Sequence, residues 1–152
     1  MSSDTVEPLV VSIKRLRFDI DVSPRYMTAG AVGLDLFAAL DEAILLGPGR
    51  RVLVPCGFAI AIPRGYEGQV RPRSGLALRE GLFIPNSPGT IDPDFRGEVS
   101  VILANFGDGE VEIQPGKRVA QLVIAPVVRV RLEERLELDK TPRGGGGFGH
   151  TG

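Results

Sequence analysis

Residues 98–126 read EVSVILANFGDGEVEIQPGKRVAQLVIAP, and the reading of this stretch decides the fold. In its first run Val99, Val101 and Leu103 alternate with Ser100, Ile102 and Ala104. A period of two is that of a strand with one face toward a core. The run stops at Phe106-Gly107-Asp108-Gly109, a turn signal. VEI (111–113) follows, then Pro115-Gly116, then VAQLVIAP (119–126). Several short apolar runs divided by turn residues predict an all-β sandwich or barrel.

The same grammar holds on both sides. LVVSIKR (9–15), GLDLFAA (33–39), RVLVP (51–55), FAIAIP (58–63) and VVRVRLE (127–133) all read as strands. The 20 glycines and 12 prolines act as punctuation between such runs. SGLALREG (74–81) reads as one brief helix, with Ser74 as cap and Gly81 as stop. LEERLEL (132–138) fits either period. No repeat or linker divides the chain, so residues 1–140 are expected to form a single β domain. Residues 141–152, ending RGGGGFGHTG, are expected to be a flexible arm outside it. From Gly144 to Thr151 the arm nearly spells a phosphate-binding loop, but His150 stands where that loop needs lysine.

The totals narrow the function. A chain of 152 residues can bury a real core in one domain. A formal net charge of −1 offers no basic field for nucleic acid or an anionic membrane. No apolar run approaches the ~20 residues of a membrane span. The first ten residues lack the basic-then-apolar pattern of a signal peptide. The single Cys56 lies in an apolar run and is expected to be a buried hydrophobe rather than a nucleophile. With one histidine, His150, the chain has little from which to build a zinc site. A soluble cytoplasmic protein without nucleic-acid or membrane partners is expected.

Four loops place polar residues beside glycines in apolar surroundings. In AGAVGLDLFAA (29–39), Asp35 sits between Leu34 and Leu36. A carboxylate there must meet water, a donor or a cation, and simple alternation onto the solvent face also explains it. In RPRSGLALREG (71–81), Arg71, Arg73 and Ser74 sit where a strand meets a helix start, a place that suits an anion or an ordinary cap. NSPGTIDPDFRGEVSV (86–101) has the form of a hairpin whose tip presents backbone groups, with Asp92 and Asp94 equally readable as turn residues. In GKRVAQLVIAP (116–126), Gln121 interrupts an apolar strand and needs a partner if it points inward.

Taken in order with RGGGGFGHTG, these four stretches resemble the five motifs of the trimeric dUTP diphosphatases. The resemblance runs from about Ala29 to Gly152. It implies a jelly-roll-like, β-clip-like subunit of a homotrimer, with active sites at the subunit interfaces. The C-terminal arm of one subunit would close over a site built by the other two. The implied reaction is hydrolysis of dUTP to dUMP and diphosphate by in-line attack of water on the α-phosphorus. This reaction keeps uracil out of DNA and supplies dUMP for dTMP synthesis.

By motif match Asp92 would be the general base. Mg²⁺ would bridge the triphosphate oxygens, with Asp35 holding it through water. Ser74 and Gln121 would hydrogen-bond the phosphate chain, Arg73 would add charge and Gly75 would allow close approach. The segment from Asn86 to Phe95 would read uracil, through backbone groups around Gly89, Thr90 and Ile91. Phe95 takes the place of the family's usual tyrosine and would keep the ring that excludes a 2′-hydroxyl. In the arm, Arg143 would pair with the γ-phosphate and Phe148 would stack on uracil, with Gly149, His150 and Thr151 beside them. His150 replaces the usual serine.

Two rival readings differ in class. A dCTP deaminase shares the fold and needs a water-activating group aimed at C4 of the base, for which the chain has no convincing signature. A non-catalytic nucleotide-binding trimer would be favoured by loss of Asp92 or Arg143, and both are present.

Overall fold

The computed structural model describes residues 7–150. Ten strands and one helix follow in the order β1 (Ser12–Arg15), β2 (Leu34–Phe37), β3 (Ile44–Leu46), β4 (Arg51–Ala61), β5 (Tyr66–Arg71), α1 (Ser74–Glu80), β6 (Leu82–Phe83), β7 (Gly89–Ile91), β8 (Glu98–Asn105), β9 (Val111–Ile113) and β10 (Arg118–Pro126). One antiparallel sheet has the order β1-β4-β8-β6, the second β2-β10-β5-β7, and β3 pairs with β9. The chain is all-β with one short helix, a jelly-roll-like arrangement of two sheets around one core.

The alternation in 98–105 delivers what it predicts: Val99, Val101 and Leu103 are buried. They face Val54, Phe58, Ile60, Leu36, Val70 and Leu122 in one cluster. RVLVP and FAIAIP are not two strands but one. Between Pro55 opposite Ser100 and Ala59 opposite Glu98, β4 spends two more residues than β8. Gly57 sits in this bulge at φ +78, and a Cβ there would lie 2.7 Å from Val22 Cγ2. Only glycine fits that conformation and that space.

The helix spans the residues expected, and Gly81 closes it in the left-handed conformation at φ 67. Its cap differs. Arg73, not Ser74, is the N-cap residue, and its carbonyl accepts the N–H groups of Leu76 and Ala77. Ser74 is the first helical residue and its hydroxyl makes no capping bond.

VVRVRLE forms no strand. β10 ends at Pro126 opposite Tyr66, the first residue of β5, so β5 offers no further ladder. Val128, Val130 and Leu132 are all at least 74% exposed. LEERLEL forms neither helix nor strand. Among the described residues no helix is long and apolar enough to cross a membrane.

Candidate functional site

Two groups of motif residues form apart from each other, the first on the sheet β2-β10-β5-β7 and the second between β7 of that sheet and β8 of the other. The first lies on a cross-strand row. Gln121 on β10 is opposite Asp35 on β2 and, on its other side, opposite Arg71 on β5. These three therefore share one face, while Leu36, Leu122 and Val70 turn to the core. Alternation thus does put Asp35 on the face away from the core, but not in water: it is only 9% exposed. Two guanidinium groups cover it. Arg118 Nη1 donates to Asp35 Oδ2 at 3.3 Å, and Arg73 Nε lies 3.7 Å from the same oxygen. A buried carboxylate needs such partners. Arg118 had no role assigned from sequence. Its place follows from the register irregularity between Arg118 and Ala120, which sets Arg118 opposite Phe37, two residues along β2 from Asp35.

Gln121 finds its partner in Pro72, whose carbonyl accepts from Nε2 at 3.0 Å. The side chain therefore ties β10 to the turn that carries Arg71, Arg73 and Ser74. One N–H of the amide remains for another acceptor. Gly33 leaves room for this, since a Cβ there would overlap the Gln121 amide. Gly75 also makes room. The space over it holds the Arg79 guanidinium, whose Nη2 would lie 2.7 Å from a Cβ. Ser74 is exposed beside it.

The second group lines a pocket of about 210 Å³ formed by Asn86, Gly89, Thr90, Ile91, Asp92 and Phe95 with β8 from 98 to 102. The expected hairpin is instead a crossover. β7 pairs only with β5, whereas β8 pairs with β4 and, through Asn105 and Ala104, with β6. Two strand edges without strand partners therefore face the pocket, presenting backbone donors and acceptors. A turn joins them, with the N–H of Phe95 bonded to the carbonyl of Asp92 at 3.1 Å. The Phe95 ring lies over Gly97, where a Cβ would come within 2.8 Å of Cζ. Asp92 is exposed at the rim. The pocket is smaller than the ~300–1,000 Å³ usual for a whole small ligand, so it suits part of one.

The sheet register separates the groups. Ile91 is opposite Gly68, and Gln121 is opposite Arg71. At ~3.3 Å per residue, Asp92 is displaced roughly 13 Å along the strands from the Gln121 row, and two strands across. The fold of the single chain does not bring Asp92 to Ser74 and Gln121.

The arm reaches neither group. Arg143 Nε donates to Gly146 O at 2.9 Å, and the other hydrogen bonds of residues 141–150 are equally local. Phe148 is fully exposed, and Gly149 and His150 are exposed beside it. Thr151 lies outside the described residues. Cys56 is fully buried, and burial, with the Glu98 carboxylate as a lesser cause, pushes its thiol up to about 12. It is no nucleophile. Among the described residues no group of three or more His, Cys, Asp or Glu is placed to hold a metal.

The dUTPase family model matches residues 21–152. The deoxyuridine 5′-triphosphate nucleotidohydrolase of Syntrophotalea carbinolica is 52% identical over 97% of this chain and 99% of its own. The protein of the same name from Methylocella silvestris is 54% identical over 96% of this chain and 93% of its own. Among solved structures, the Staphylococcus bacteriophage 80alpha dUTPase with dUPNHPP superposes with a TM-score of 0.83 at 25% identity, covering 94% of this chain and 98% of that one. A match over this length, at this identity and with this fold, makes the chain a member of the dUTPase family.

Proposed function

We propose that this chain hydrolyses dUTP to dUMP and diphosphate as a homotrimer, in sites shared between subunits. The observation that carries the reaction is the 52% identity, over nearly the whole of both chains, to a deoxyuridine 5′-triphosphate nucleotidohydrolase. The separation of the two residue groups favours shared sites. A triphosphate ester spans both only if the Asp92 edge of one subunit meets the Asp35–Gln121 face of another. The exposed Val128, Val130 and Leu132 favour assembly as well, since they lack cover in one subunit.

In this reading the pocket at 86–95 takes the deoxyuridine. Uracil presents acceptors at O2 and O4 and a donor at N3, and the free strand edges of β7 and β8 can pair that order. Cytosine breaks the pattern and leaves backbone groups unpaired, a strong ground for rejection. The Phe95 ring walls the sugar. Asp92, on the rim, holds a water in line with the α-phosphorus and accepts its proton. An exposed carboxylate is a weak base, so positioning carries most of its effect. The phosphate chain lies along Ser74, the spare N–H of Gln121 and Arg73. Arg79 leaves the space over Gly75 as the chain approaches. Arg143, Phe148, Gly149, His150 and Thr151 of a third subunit close over the γ-phosphate and base, and exclude water.

The residues fit magnesium held on the substrate's own oxygens. Both arginine contacts to Asp35 fall on Oδ2, which leaves Oδ1 for a metal-bound water. One carboxylate suits a hard ion that keeps several of its waters. When bound, Mg²⁺ supplies charge neutralisation along the triphosphate. As an enzyme of free nucleotides, the protein acts in the cytoplasm, keeps uracil out of DNA and yields the dUMP from which dTMP is made.

The test is release of diphosphate from dUTP, with and without EDTA, beside ammonia release from dCTP. Diphosphate from dUTP without ammonia from dCTP is expected. Ammonia from dCTP, or no product from either, would overturn the reading.

A further inference from the structure

We infer that Arg71 is a further phosphate-positioning arginine beside Arg73 and Arg143, held ready by a strut of one neutral and one acidic side chain, Gln69 and Glu67, along its own strand. The inference rests on the hydrolase reading above and extends it to residues outside the motif roles.

Three arginines lie close to the Gln121 row. Arg73 and Arg118 spend part of their charge on Asp35. Arg71 does not: among the described residues it forms no ion pair. Its Nε and Nη2 instead both donate to Gln69 Oε1. Gln69 Nε2 in turn donates to Glu67 Oε1 at 2.7 Å. Residues 67, 69 and 71 are alternate positions of β5 and stand on one face.

The chain of bonds has a direction. The carboxylate of Glu67 fixes which way the Gln69 amide faces, so that its carbonyl, not its NH₂, meets the guanidinium. An amide oxygen accepts two N–H groups without cancelling the positive charge. The result is an exposed guanidinium with restricted freedom and its full charge. It is directly opposite Gln121 in the ladder and two residues before Arg73. Arginine suits this place better than lysine, because its fork binds a strut and an anion at once. A triphosphate carries several negative charges, and beside Arg143 and Mg²⁺ the Gln121 row can offer a further full cation, since Arg73 shares its own charge with Asp35. Arg71 therefore contacts the β- and γ-phosphate end, the part that dUMP lacks.

The test uses titration calorimetry on the intact wild-type trimer and on Arg71→Gln, Arg71→Lys, Gln69→Leu and the double variant Gln69→Leu/Arg71→Gln. The probes are dUPNHPP and dUMP. Arg71→Gln should weaken dUPNHPP about tenfold, the range of a partly solvated charged hydrogen bond, and dUMP less than twofold. It should also lower the salt dependence of dUPNHPP binding. Arg71→Lys should recover part of the loss. Gln69→Leu should lose about threefold, and the double variant should be no worse than Arg71→Gln. Equal losses for dUPNHPP and dUMP, or none, would overturn the inference. So would dissociation of the Arg71→Gln trimer in light scattering, which would make Arg71 an interface residue. If Arg71→Gln does not fold, Gln69→Leu decides: it should weaken dUPNHPP and spare dUMP. Failure of wild type to bind or hydrolyse dUTP would instead reject the hydrolase reading.

Discussion

Arg118 and Asp35 meet across the β2–β10 pair, with Nη1 3.3 Å from Oδ2 and the carboxylate almost closed off from solvent. The contact locks an acidic side chain into the face that the substrate's phosphates are proposed to cover. It also leaves Arg73 free to approach the same oxygen from the helix side.

Breaking this contact should cost stability without touching the reacting atoms. Arg118→Gln should lower unfolding stability by about 1 kcal/mol, discounted because Arg118 is itself partly exposed. A double-mutant cycle with Asp35→Asn should return a coupling of similar size. Additive losses in urea denaturation would show that the pair contributes nothing beyond its separate parts.

Asp92 carries the opposite expectation. It is exposed, so Asp92→Asn should leave stability and dUPNHPP affinity near wild type while kcat falls ~10²-fold or more. Turnover of that variant near the wild-type rate would remove Asp92 from the base role.

Phe95 and Gly97 should act together on sugar choice. Phe95→Ala should raise UTP hydrolysis relative to dUTP, since the ring is the proposed wall. Gly97→Ala should do so to a smaller degree, because the new methyl would push the ring from its present seat. The check is the ratio of kcat/KM for the two nucleotides. An unchanged ratio in Phe95→Ala would refute the steric account.

Cys56 gives a pH-dependent test of core integrity. Its thiol is raised from the ordinary 9.0 to about 12, chiefly by burial. Above pH 9 the unfolded chain releases this proton and the folded chain holds it. The thiol's contribution to stability is therefore whole below pH 9 and is lost as pH climbs toward 12. Cys56→Ala should be less stable at neutral pH, yet show a shallower decline between pH 9 and 11. In the folded wild type at pH 8, a thiol reagent should find Cys56 unreactive.

The core was legible in the sequence where runs were long enough to show a period, as in 98–105. It was not legible where tertiary geometry overrode local pattern. Gly57 looked like a boundary because glycine usually is one, yet a close approach by Val22 and Ala39 makes it a bulge inside β4. VVRVRLE had the right alternation and lacked a neighbour in its own subunit. Ser74 looked like a cap because its hydroxyl is the preferred type, but the helix begins one residue earlier in the count of caps. Membership of the family was legible in the order of the motif stretches, which the family match over residues 21–152 bears out. The clamp of Arg118 on Asp35, the tie from Gln121 to Pro72 and the strut behind Arg71 were not, because each depends on cross-strand register. The crossover that opens the 86–95 pocket was also hidden, since β7 is too short to declare its sheet.

The measurement that tests the central claim most directly is activity in mixed trimers. Asp92→Asn and a chain ending at Thr141 should each form inactive trimers, the second because it lacks Arg143 and Phe148. Mixed in equal amounts and allowed to exchange subunits, they should recover about a quarter of wild-type sites. Each mixed trimer then assembles one complete site, with Asp92 from one subunit and the arm from another. No recovery after demonstrated exchange would mean that Asp92 and the arm serve a site within one chain, and an active trimer of the shortened chain alone would mean that the arm is no lid.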